Sequence, residues 1–113
     1  VDDNDAARKV ARAFLKRDGY QVEVAASGAA GLAAAADGVF DLVLMDLQMP
    51  GMDGLETVQR LRKIPGYAAT PVIALTANAG EEFRALCQEH GMQDFITKPV
   101  ESETLLRRVR HLL

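Results

Sequence analysis

The sequence predicts an α/β domain built on a doubly wound parallel sheet. Three observations carry this. Short apolar runs, Leu42 to Met45 and Val72 to Leu75 above all, are too short for helices and lack the alternation of half-exposed strands, so they read as strands buried on both faces. Segments with helical spacing separate them, which implies βαβ units with right-handed crossovers. The third observation is chemical: each run hands over to one polar residue at its carboxyl end, the edge where such sheets place their ligands.

The chain has 113 residues, 49% hydrophobic and 26% charged, which suits one ordinary globular domain spanning residues 1–113. A formal net charge of −3 argues against direct nucleic-acid binding by this domain, since phosphates demand a basic surface. Cys87 is the single cysteine and reads as a small core residue in a reducing compartment. No run approaches a membrane span, so no membrane insertion and a cytoplasmic location are expected, although the parent protein is free to be membrane-anchored.

In chain order, Val1 reads as the tail of a first strand that is otherwise missing. Asn4 or Asp5 caps a helix reaching about Arg17, with Val10, Ala11, Phe14 and Leu15 on its buried face and Gly19 ending it. Gln21 to Ala25 alternates as a strand, and Ser27 caps an alanine-rich helix running to Asp37. After the strand ending at Asp46 and its loop, Leu55, Val58, Leu61 and Arg62 give a helix closed by Pro65-Gly66. Pro71 opens the strand that stops at Thr76. Ala79 to His90 forms a weak helix with Phe83, Leu86 and Cys87 inward, Phe95 to Thr97 a brief strand, and Ser102 to Leu113 the last helix, capped by Ser102. Restoring a first strand gives five β/α pairs with strand order 2-1-3-4-5. A domain without that strand has a gap in its core, so these residues are expected to be a segment of a longer chain.

That order brings Asp2 and Asp3, which follow the lost strand, beside Asp46 at the switch point, with Thr76 and Lys98 on the same edge. Three carboxylates repel unless a cation joins them, and oxygen-only donors favour Mg²⁺, with Mn²⁺ as the alternative, over zinc. The sequence has neither the spacing of a calcium loop nor a zinc pattern among Cys87, His90 and His111. A hydroxyl and an ammonium beside such a cation suit the remaining oxygens of a phosphoryl group held on Asp46.

Val1-Asp2-Asp3, the segment Met45 to Gly54, Leu75-Thr76-Ala77 and Lys98-Pro99 together resemble the receiver domain of two-component response regulators, over essentially the whole chain. The resemblance implies a flavodoxin-like (βα)5 fold and a phosphorelay function. Asp46 would accept phosphate from the phosphohistidine of a histidine kinase or histidine phosphotransfer domain. Asp3, Asp46 and the Gln48 backbone carbonyl would ligate Mg²⁺, Asp2 would hold a metal-bound water, and Thr76 and Lys98 would bind the phosphoryl group. Lys98-Pro99 would be cis.

The resemblance further implies a switch in which Thr76 moves and Phe95 turns inward. Phe95 stands where many relatives carry Tyr, so no hydroxyl hydrogen bond is on offer. Partners would dock, or a homodimer would form, on the face made by the helix from Ala79, the Phe95 strand and the last helix. Gln48 and Thr76-Ala77-Asn78-Ala79 look like receivers fused to hybrid histidine kinases. The competing expectations are a receiver-like interaction module that works without phosphorylation and a phosphatase of the haloacid dehalogenase type. The latter needs a second acid two residues after its nucleophile, where Gln48 stands. A nucleotide binder is weaker still, for no Gly-rich phosphate loop follows any strand.

Overall fold

The computed structural model describes residues 1–47, 54–77 and 80–113, and only the backbone at Phe83. The expected Phe83 packing, the Gln48 carbonyl and the Asn78-Ala79 stretch therefore lie outside the described residues.

In chain order the elements are α1 (Asp5–Arg17), α2 (Gly28–Asp37), β1 (Val43–Asp46), α3 (Gly54–Leu61), β2 (Val72–Thr76), α4 (Glu81–Glu89), β3 (Asp94–Thr97) and α5 (Ser102–Leu112). The three strands are parallel in the order β1-β2-β3. Their register pairs Asp46 with Leu75 and Thr76 with Thr97, so the carboxyl ends of all three align. β2 is buried along its whole length. Its residues alternate between two cores: Val72 and Ala74 pack with Val58, Leu61 and Met92, whereas Ile73 and Leu75 pack with Leu15, Leu105 and Val109. Helices α2, α3 and α4 thus cover one face, and α1 and α5 the other.

Local chemistry sets the helix ends. Asn4 Oδ1 accepts from the Ala7 amide at 3.0 Å, and Ser27 Oγ accepts from the Ala30 amide at 3.1 Å. Gly19, at φ 90°, follows α1 in the left-handed region that only glycine enters without cost. Ser102 is not a cap: it is the first residue of α5, and Glu101 holds the cap position with no side-chain bond. Val10 is 43% exposed, because the buried stripe of α1 runs through Ala11, Phe14 and Leu15 instead.

The strand expected over Gln21–Ala25 does not form. A ladder needs a partner along its length, and among the described residues this stretch makes a single backbone bond, from the Asp2 amide to the Ala25 carbonyl at 3.0 Å. Val1 bridges to the other side: its nitrogen donates to the Leu44 carbonyl at 2.6 Å, and its carbonyl accepts from the Asp46 amide at 2.9 Å. Residues 1–2 thus lie between the 21–25 segment and β1. Beyond them a groove of about 660 Å³ opens, lined among others by Val22, Val24, Leu42 and Leu44.

Two side chains hold loops at the opposite end of the sheet. The Tyr67 hydroxyl donates to the Gly38 carbonyl at 2.8 Å and accepts from the Phe40 amide at 3.3 Å. Arg62 gathers three carbonyls: Nη1 donates to Tyr67 at 2.8 Å and Thr70 at 2.5 Å, and Nη2 to Gly91 at 2.7 Å. Burial lowers its pKa, yet a guanidinium stays charged at any ordinary pH. Each bond to a charged donor contributes up to about 1.5–3 kcal/mol, less where water competes. Arg62→Met is therefore expected to destabilise the fold by about 2–4 kcal/mol, read as a lower urea midpoint at unchanged slope.

Candidate functional site

The site stands at the carboxyl edge of the sheet, and each member reaches it through the end of an element. Asp46 is the last residue of β1 and 1% exposed; Thr76 ends β2 and is fully buried. Lys98 directly follows β3, its amide donating to the Thr76 carbonyl at 2.7 Å. The Lys98-Pro99 peptide is cis. Asp2 and Asp3 arrive beside Asp46 because Val1 pairs with β1.

One oxygen each from Asp2, Asp3 and Asp46 lie within 4.8 Å of one another. Asp2 and Asp46 are buried, and Asp3 faces solvent. The Lys98 ammonium bridges the two buried acids, 3.2 Å from Oδ2 of each. Burial disfavours the Asp2 carboxylate, but the Asn4 amide, 2.9 Å from its Oδ1, and Lys98 outweigh this and hold its pKa below the usual 3.8. Burial likewise works against the Lys98 ammonium, while Asp2 and Asp46 raise its pKa overall. The signs are consistent: the Asp2 contribution to stability is lost as pH falls through its lowered folded pKa, and that of Lys98 as pH rises through its raised one. Across the neutral range both groups are charged.

One ammonium does not balance three carboxylates. Oδ2 of Asp2 is buried and, although within ion-pair range of Lys98, lacks a partner in hydrogen-bond geometry. An orphaned buried oxygen, an all-oxygen donor set and a residual negative charge fit a hard divalent cation.

Asp2, Asp3, Asp46, Thr76 and Lys98 are thus brought to one edge, as the strand-end pattern predicts. Phe95 is set apart on β3, half-buried, with the Arg84 guanidinium of α4 5.1 Å from its ring centroid. Two contributors escape a reading by residue type. Arg8 donates from Nη1 to the Asp2 carbonyl at 2.8 Å and from Nη2 to Asp5 at 3.0 Å, fixing the backbone that carries the acid pair. Gly54 begins α3 against the Asp46 backbone: a Cβ there would lie 2.7 Å from Leu47 Cα and closer still to the Asp46 carbonyl oxygen. Its place at the end of the Met45 to Gly54 motif was the one available signal.

Among the described residues, no helix is long and apolar enough to cross a membrane. The family model "Response regulator receiver domain" matches residues 1–110. The chain is 41% identical over 113 residues to the uncharacterized transcriptional regulatory protein YkoG of Bacillus subtilis, covering 100% of this chain and 49% of that protein. The chain thus spans about half the length of that curated relative. The solved structure of the chemotaxis protein CheY4 of Vibrio cholerae superposes with a TM-score of 0.95 at 34% identity, covering 99% of this chain and 93% of that one. The receiver domain of the sensor histidine kinase PA1611 of Pseudomonas aeruginosa, whose structure has a magnesium ion coordinated in the active site cleft, gives 0.90 at 33% identity, over 99% and 92%. With the parallel α/β fold and the aligned strand ends, these likenesses establish that the chain belongs to the family of response regulator receiver domains.

Proposed function

We propose that Asp46 is the phosphoacceptor of this receiver. The single observation that supports this best is the buried Asp46 carboxylate, 3.2 Å from Lys98 and within 4.8 Å of two further acids. A carboxylate oxygen of Asp46 attacks phosphorus, the P–N bond to the donor histidine breaks, and its electron pair returns to the imidazole nitrogen. Lys98 and the Thr76 hydroxyl bind the outer phosphoryl oxygens, stabilising charge in a loose in-line transition state. Asp3 and Asp46, with the Gln48 carbonyl that the resemblance implies as third protein ligand, would hold Mg²⁺, and Asp2 would position a metal-bound water. Bound there, Mg²⁺ would supply positive charge against the charge that builds between phosphate and carboxylates.

The donor is the phosphohistidine of a kinase or a phosphotransfer domain. The outcome is a conformational switch in a domain on the cytoplasmic side, read on the face of α4, β3 and α5, by a partner or by a second copy. The test is incubation with acetyl phosphate and Mg²⁺ followed by peptide mapping. The acyl phosphate should fall on Asp46; stoichiometric label elsewhere would overturn the assignment.

Cation binding has its own readout. Saturating Mg²⁺ at about 100 times Kd should stabilise the fold by about 2.7 kcal/mol relative to KCl of matched ionic strength. Asp3→Asn should remove most of that gain.

A further inference from the structure

We propose that Arg84 is a positioning residue of the switch, holding Phe95 in its resting orientation until Asp46 is phosphorylated; this rests on the function just proposed. Arg84 and Phe95 belong to the two elements that meet the end of β2. Thr76 ends β2, and α4 begins at Glu81, five positions on. Phe95 pairs with Ala74 across the β2-β3 ladder, as Thr97 pairs with Thr76. Side chains two apart on a strand share a face, so Phe95 lies on the same sheet face as Thr76, one pair removed.

The Arg84 guanidinium stands 5.1 Å from the Phe95 ring centroid, within reach of a cation–π contact. Both residues line a cavity of about 150 Å³ between α4 and β3, together with Cys87, Met92 and Asp94. Asp94, the nearest acid in sequence to the ring, is ion-paired with Arg108 of α5 and spends its Oδ1 on the Phe95 amide. The two elements flanking the ring are therefore tied on both sides: α5 through Arg108 to Asp94, and α4 through Arg84 to the ring itself. A shift of α4 that follows Thr76 breaks the second tie, and a ring that leaves breaks it too. The Arg84 contact belongs to the resting state alone, so it sets part of the free-energy gap that phosphorylation must overcome.

Removing the charge should then favour the active state. A cation–π contact at an exposed site shifts an equilibrium by about 2- to 5-fold. In the full-length chain, Arg84→Met should lower the beryllium fluoride concentration for half-saturation in Mg²⁺ by about 2- to 5-fold. Arg84→Lys, which keeps a cation, should fall between wild type and Met. Phe95→Leu, which removes the ring, should make the Arg84→Met change ineffective. Unchanged or weakened binding in Arg84→Met overturns the proposal, since a merely structural role predicts no gain.

A second readout is taken on the unphosphorylated variant. The ¹³C-labelled Phe95 ring, observed by NMR without any phosphate analogue, should shift in Arg84→Met toward its position in the beryllium fluoride complex, and an unmoved resonance overturns the latch. A wild-type protein that binds no beryllium fluoride would sink the phosphoacceptor reading itself. The latch, which acts on that switch, would fall with it, whereas a wild type that binds and an Arg84→Met variant that gains nothing overturn the latch alone.

Discussion

Asp46→Asn is expected to leave a folded protein that phosphohistidine and acetyl phosphate no longer label. The substitution preserves volume and a hydrogen-bonding oxygen near Lys98, so the shape of the site survives. What it removes is the anionic nucleophile. An amide cannot form the acyl phosphate, and labelling should fall below about one thousandth of the wild-type rate. The loss would not come from unfolding. Asp46 stands in a cluster of three carboxylates within 4.8 Å against one ammonium. Deleting one charge relieves repulsion while costing Lys98 one of its two partners, and the net change in stability should lie within about 1 kcal/mol. The measurement pairs phosphorylation kinetics with denaturant unfolding of the same preparation. Rapid labelling of the variant at Asp2 or Asp3 would show that the site, rather than Asp46, selects the acceptor.

The site was readable because its chemistry is written at strand ends. Apolar runs such as Leu42 to Met45 and Val72 to Leu75 mark buried strands, and a parallel sheet brings their following residues to one edge whatever their separation in sequence. Asp2, Asp46, Thr76 and Lys98 could therefore be assembled before any distance was known. Where expectation and structure part, the decisive partner was non-local. Gln21–Ala25 has the alternation of a strand, but a strand is a pairing, and this stretch lies against a groove. Val10 has the right residue type for a core, but Phe14 and Leu15 set the face that α1 turns inward. Arg62 and Arg8 both act on backbone carbonyls, whose positions no residue pattern announces. The contact between Arg84 and Phe95 is hidden for the same reason, since it joins a helix to a strand eleven positions away.

Gly54→Ala carries the largest expected effect on stability. The added Cβ would meet the Asp46 carbonyl oxygen and Asp46 carbonyl carbon as well as Leu47 Cα at 2.7 Å, all backbone atoms of the segment that presents the acceptor. A side chain at that distance would rotate away; β1 cannot, because Asp46 and Leu47 are tied by their amides to Val1 and Leu75. The first turn of α3 must then move, and with it Val58 and Leu61, which fill the core beneath. Such overpacking should cost at least about 3 kcal/mol, a fall in Tm of about 10 °C or more. Gly38→Ala is the control: its Cβ would find Phe40 at an ordinary 3.6 Å in an extended backbone, and the change should lie within about 0.5 kcal/mol of neutral. If Gly54→Ala proves as harmless as Gly38→Ala, close backbone approach is not what places α3. If it folds but is destabilised, relief comes from displacing the backbone beside Asp46, and phosphorylation should slow even though no side chain of the site has changed.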